Sequence, residues 1–181
     1  MTALSNGLTA VISVFAVSSA LAEPSHRTMV KFGDEVVELK FSNIPNDGRL
    51  QELWEATNEA PDAVEQERLL RIRWEDYGEV NALQSLAIHQ LKRGDYVFGY
   101  AHLYAAHRIS KWFEDTVTRP DYKGGPEGRY VPPGPLAEEG FVELEGYMNL
   151  VGEKLTASQR AQGVKLAAKL VRENPNCCLW P

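Results

Sequence analysis

Three internal histidines, a block of carboxylates and one pair of cysteines are the side chains here with chemistry to offer. His102 and His107 stand five residues apart, about 140° around a helix. They therefore do not make the i, i+4 pair through which a single helix holds zinc. His107 with Tyr104 and Tyr100 could enclose a polar pocket; the plainer reading of such a histidine, or of His89, is a core-edge side chain hydrogen-bonded to backbone. Glu138, Glu139, Glu143 and Glu145 hold enough carboxyl groups for an acid/base pair, but they fit the solvated face of a helix. Lys123-Gly124-Gly125 has neither the length nor the following helix of a phosphate-cradling loop, and there is no nucleophile elbow and no zinc spacing. The residues make no case for an enzyme, and they call for no cofactor.

Cys177 and Cys178 are the only cysteines and are adjacent. An exported chain with two cysteines ordinarily pairs them far apart to close a long loop. Neighbours can bridge only through a tight ring, because a trans peptide holds their Cα atoms about 3.8 Å apart, below the usual disulfide range of roughly 4.4–6.8 Å. A ring disulfide, links to another chain, a soft metal or redox site, and two thiols without a role near a frayed end are the readings open at this point.

The 181 residues are 44% hydrophobic and 24% charged, with 19 basic against 25 acidic side chains and a formal net charge of −6. That composition suits one globular domain and disfavours nucleic acid, whose phosphates need a basic face. Leu8 to Val17, LTAVISVFAV, is an apolar run followed by Ala20-Leu21-Ala22. This reads as a signal peptide over residues 1–22, cleaved after Ala22, although Met1 to Gly7 carries no Lys or Arg. The run is about half the ~20 residues that span a bilayer, so no integral membrane segment is expected after cleavage. The mature chain, 23–181, is then a single α-helical domain in the periplasm or secreted.

The elements that must position any site follow from periodicity. Residues 29 to 41 carry strand formers on both sides of Gly33-Asp34, a pattern for a small N-terminal β-hairpin that has to lean on something else. Ile44 to Gly48 is a break. A first helix carries Leu50, Leu53, Trp54 and Thr57 on one face and ends before Pro61. Asp62 caps a second, with Val64, Leu70, Trp74 and Tyr77 inward; residues 69–75 also alternate as a strand would, and the helix is preferred. A third runs from about Glu79 to Arg93 on the stripe Leu83, Leu86, Ala87 and Leu91, and Gly94 stops it. Asp95 caps a fourth, on which Gly99, Ala106 and Ser110 make a narrow edge. Residues 119–135 hold five prolines and four glycines, a loop long enough to be either functional or mobile. A fifth helix carries Phe141, Leu144, Met148 and Val151. The sixth opens with the capping box Thr156-Ala157-Ser158-Gln159 and ends at Asn174-Pro175. The fold class is mostly α: a helix-turn-helix repeat-like bundle of about six helices with a small hairpin.

Residues 78–107, GEVNALQSLAIHQLKRGDYVFGYAHLYAAH, carry Ala82, Leu86, Ala87, Gly94, Asp95, Tyr96, Gly99, Tyr100, Ala105 and Ala106 in the pattern of a helix-turn-helix repeat. This stretch resembles one Sel-one-like repeat, a relative of the tetratricopeptide repeat. LTASQRAQGVKLAAKL resembles the helix that often follows the last repeat of bacterial members. The pattern departs at Lys92-Arg93-Gly94, a shortened loop, and at His102, near where Trp is typical. The resemblance implies a helical-repeat scaffold that binds a protein or peptide on a concave face, with no catalytic residues to carry over. The expected partner face is Tyr96, Tyr100, His102 and Tyr104, with Tyr122 and Tyr130 from the loop, whose Val131–Pro135 favours polyproline II. The expected function is that of an exported, non-enzymatic protein-binding protein. The alternatives are an immunity or inhibitor protein against a secreted toxin or hydrolase, a metal or redox protein using Cys177-Cys178, and an enzyme on a helical scaffold using His107.

Overall fold

The computed structural model describes residues 26–41, 48–117 and 138–179. It is mostly helical, with a two-stranded antiparallel hairpin at its N-terminal side. The strands are β1 (His26–Phe32) and β2 (Glu35–Phe41). The helices are α1 (Arg49–Asn58), α2 (Ala63–Glu75), α3 (Val80–Lys92), α4 (Tyr96–Val117), α5 (Glu138–Glu153) and α6 (Ala157–Glu173). No helix among the described residues is long and apolar enough to cross a membrane.

Local chemistry explains most boundaries. Asp62 Oδ1 accepts from the amides of Val64 and Glu65, each at 2.9 Å, and so starts α2. The α3–α4 turn closes on Gly94 at φ +82, with Asp95 N–H donating to the Gln90 carbonyl and Gly94 N–H to that of Leu91. That is a Schellman ending, in which the left-handed residue is glycine because any Cβ would be strained. The capping box at Thr156 and Gln159 forms as its sequence predicts. Residues 69–75 are helical, and within α2 Leu69, Leu70 and Trp74 are buried while Val64 is 74% exposed rather than inward. Val64 sits in the first turn of α2, next to the Asp62 cap.

Consecutive helices pack on one another from α1 through α4, and α4 then meets α5 and α6. Close approach is built from glycine. A Cβ on Gly99 would lie 2.6 Å from Leu91 Cδ2, and one on Gly163 would lie 2.7 Å from Tyr100 Cδ1. The apolar core gathers around α4, with Ala101, Leu103, Ala105, Ala106 and Ile109 buried against Leu83, Leu86, Leu144, Ala167 and Val171.

The hairpin turns Val30, Phe32, Val37, Leu39 and Phe41 inward and Met29, Lys31, Val36 and Glu38 outward, the period of two that a half-buried ribbon needs. It leans on α4 and α6: Phe41 stacks on Trp112 at 4.8 Å, the Gly33 amide donates to Tyr104 Oη at 3.3 Å, and Arg108 Nε donates to the Lys31 carbonyl at 2.8 Å.

The segment after α6 is held in place as far as Leu179. Lys40 of β2 donates its N–H to the Cys177 carbonyl at 3.0 Å and accepts from the Cys178 amide at 2.6 Å, while the Leu179 amide donates to Gly78 O at 3.0 Å. Asn174 Nδ2 donates to the Trp74 carbonyl at 2.6 Å and Asn176 Nδ2 to that of Glu75 at 2.8 Å. The segment after α6 is therefore strapped to β2 on one side and to the α2–α3 turn on the other. Cys177 and Cys178 are buried there and bridged to each other, the ring disulfide among the sequence readings. Their Cα atoms are 2.9 Å apart because the peptide bond between them is cis rather than trans.

Candidate functional site

Helix α4 does not gather the expected partner-binding residues on one face. Tyr100 and Tyr104 are one helical turn apart, and both point to the side where α4 meets the hairpin, α5 and α6. Tyr100 is buried against Gly152 and Gly163, and Tyr104 lies between Phe32 and Tyr100, with ring centroids 6.2 and 6.0 Å away. Burial raises the Tyr100 hydroxyl pKa above the ordinary phenol value. His102, two residues from each, sits about 200° away around the helix. Tyr96 is 39% exposed, with the Lys154 ammonium 5.5 Å over its ring. Tyr122, Tyr130 and the 119–135 loop lie outside the described residues.

On the His102 side, α2, α3, the start of α4 and α6 leave a cleft of about 400 Å³. Leu86, Phe98 and Leu170 form its apolar wall, and Arg71, Glu75, Arg93 and Asp95 stand around it. Three nearly buried polar side chains line it: Trp74 at 4% exposure, His102 at 6% and Gln90 at 9%.

The His102 ring is fixed by its own helix, since Nδ1 lies 2.8 Å from the Phe98 carbonyl. A carbonyl can only accept, so the proton is on Nδ1 and the Nε2 lone pair is the free one. Burial lowers the His102 pKa, with Arg71 adding to that and the Phe98 carbonyl, Glu67 and Asp95 opposing it; the ring is neutral at pH 7. Nε2 has no hydrogen-bond partner among the described residues, and neither the Gln90 amide nor the Trp74 indole N–H has one. None of these atoms is sealed from solvent.

Beside them, the buried carboxylate of Glu67 joins two arginines. Arg71 Nη2 donates to its Oε1 at 2.8 Å and Arg93 Nη2 to its Oε2. Burial pushes the Glu67 pKa up, but the hydrogen bonds from Arg71 and Arg93 outweigh it and leave it below the usual carboxylate value. The guanidinium side chains are 47% and 51% exposed. Each spends one of its five N–H donors on Glu67.

Comparison with family models, curated proteins and solved structures finds no match. The resemblance of residues 78–107 to a Sel-one-like repeat therefore rests on those residues alone.

Of the other candidates, His89 is buried with Nε2 3.1 Å from Gln66 Oε1, and His107 is buried on a different face of α4. Glu143 and Glu145 are exposed on α5, on the solvated face that their spacing indicates. No cluster of three or more metal-ligating side chains occurs among the described residues. Sequence reasoning singled out His102 and the α3–α4 pair but not Arg71, Trp74, Gln90 or Arg93, which share its cleft. Gln90 was the available signal, a lone amide beside the apolar stripe of α3.

Proposed function

We propose that this chain is an exported, non-enzymatic binding protein that receives a peptide segment of a protein partner in the cleft between α2, α3, α4 and α6. One observation carries the reading: Trp74, Gln90 and His102 line the cleft, nine-tenths buried or more, with hydrogen-bonding capacity that the protein itself leaves unused. A peptide backbone supplies donors and acceptors in alternation, and one of its side chains would rest on Leu86, Phe98 and Leu170. Pockets of this size that mix an apolar wall with a few convergent polar groups are ordinary ligand sites. The Sel-one-like resemblance of the α3–α4 pair points the same way.

Export is supported by the apolar run and small residues of the first 22 positions, and by the bridged Cys177–Cys178 pair, since disulfides persist in oxidising compartments. An inhibitor or immunity protein would be one instance of this binding class.

The test is affinity selection from a soluble random octapeptide pool with free termini, read by mass spectrometry. The wild-type protein should enrich a shared motif, and the double variant Gln90→Leu/His102→Leu should lose it while keeping its helical circular dichroism. Failure of the wild type to enrich any motif would remove the proposal.

A further inference from the structure

The hairpin turns on Gly33-Asp34, with Phe32 opposite Glu35. In a two-residue hairpin that closing pair exchanges both of its hydrogen bonds, and every second pair beyond it does the same. Phe32, Val30 and Thr28 therefore bond to β2, while Lys31, Met29 and Arg27 turn their amides and carbonyls to the outer edge of β1. Two contacts fix the same parity. Arg108 Nε reaches the Lys31 carbonyl at 2.8 Å from outside the ladder, and Lys40, opposite Arg27, bonds the strap through both of its backbone groups. The strap thus covers the β2 edge at Lys40. Among the described residues, no hydrogen bond from another element reaches the backbone of Arg27 or Met29. Such a row of unpaired groups is a template for a further strand.

We propose that this edge takes up an extended, acidic segment of a protein partner as an added strand. The surface is separate from the cleft, whose lining includes no residue of the hairpin.

The side chains choose the occupant. Arg27, Met29 and Lys31 all point to solvent, with the Arg27 side chain 60% and Met29 62% exposed. On that outward face Arg27, Lys31 and Lys40 stand against one carboxylate, Glu38, which lies 3.8 Å from Arg27 and 4.0 Å from Lys40. Arg108 adds a further cation at the Lys31 end. Asp34 is in the turn, and Glu35 is held by Arg172. The edge is therefore net positive on a chain whose overall charge is −6.

A second copy is the wrong occupant. Two β1 edges paired antiparallel about Met29 would set Arg27 of each against Lys31 of the other, and like charges directly opposite are destabilising. A segment with acidic residues two positions either side of an apolar one meets Arg27 and Lys31 with opposite charge and covers Met29. That pattern reads alike in both chain directions. In strand addition the main chain gives the affinity and the alternating side chains give the choice of partner.

The test is a titration of the isotope-labelled protein, followed through its amide NMR signals, with three capped heptapeptides. They are Thr-Glu-Thr-Val-Thr-Glu-Thr, its twin with Lys in place of both Glu, and the acidic peptide methylated on the Val nitrogen. The acidic peptide should shift the amides of Arg27, Met29 and Lys31. It should bind about tenfold more tightly than its lysine twin, as when two cross-strand charge pairs turn from attractive to repulsive. Methylation removes the donor to the Met29 carbonyl and should abolish those shifts. In Arg27→Glu/Lys31→Glu the lysine twin should become the tighter ligand. No shifts at β1 with the acidic peptide, equal affinity of the twins for the wild-type protein, or binding that survives methylation would each overturn the proposal. Dimers of the protein alone that are lost in Met29→Pro would also overturn it and give the edge to a second copy, since that proline removes an outward N–H and no bond to β2.

Discussion

Glu79 shows how much a single residue can hold. Its carboxylate accepts from Arg73 Nε and Nη2, both at 2.6 Å, and from Trp54 Nε1 at 2.9 Å, with the two charged side chains only 12% and 7% exposed. That ties α1, α2 and the start of α3 together. Removing one partner of a buried pair leaves the other charge uncompensated, so Glu79→Ala should cost about 3 kcal/mol in urea unfolding. Arg73→Met/Glu79→Leu should cost clearly less. A single variant within about 1 kcal/mol of wild type would show that the pair does not bear on stability.

The histidines set the pH response at the same scale. His89, His102 and His107 all have their pKa lowered, in each case first by burial. A histidine with a lower pKa folded than unfolded takes up its proton more readily in the unfolded chain. Its contribution is complete above the ordinary value of 6.5 and declines as pH falls below it. Glu67, lowered from 4.5, adds its own loss when the pH drops further through the carboxylate range. The melting temperature should fall between pH 7.5 and pH 5.5, and a rise over that interval would contradict the assignment.

Among the elements, the strap after α6 is the least expected and the easiest to test. Gly78 and Gly48 have similar left-handed backbones, at φ +67 and +75, but different surroundings. A Cβ on Gly78 would overlap the Asn176 carbonyl, whereas one on Gly48 meets nothing within 4 Å. Gly48→Ala should therefore cost about 1 kcal/mol, from backbone strain alone. Gly78→Ala should cost at least about 1 kcal/mol more, because the strap must also move. Equal losses in chemical denaturation would mean that the strap is not seated there. Asn174→Ala removes the donor to Trp74 O and the acceptor for the Asn176 amide, a buried loss of about 1–3 kcal/mol. The hairpin and the ends of α2, α3 and α6 were legible in the sequence, because turn and cap chemistry acts over a few residues. The strap was not: Cys177 and Cys178 bond with Lys40, far away along the chain, and nothing local announces such a pairing.

For the whole molecule, packing predicts an order of opening. Helix α4 is the hub, packed by α3, α5, α6 and β1, whereas α1 rests chiefly on α2. Amide hydrogen exchange should be slowest in the buried middle of α4 and fastest, among the helices, in α1. Equal protection of the two would imply that the molecule opens only as a unit. The cleft belongs to this scale as well. Trp74 lines it and its carbonyl is held by Asn174, so the strap helps position the wall that the proposed peptide meets.

Composition and periodicity by themselves determined the mostly helical class, the hairpin with its Gly33-Asp34 turn, the Asp62 and Thr156 caps and the stop at Gly94. Each depends on residues within one or two turns of one another, where steric and hydrogen-bond preferences act directly. Sequence also marked His102, but it grouped that residue with Tyr100 and Tyr104, which the helix turns to its other side. Only the tertiary structure decided that Arg71, Trp74, Gln90, Arg93 and His102 line one cleft, and that the cysteine pair lies buried against β2. Those arrangements join three helices and a turn, or the two ends of the described chain, and they exist only when the apolar faces of separate elements are buried together.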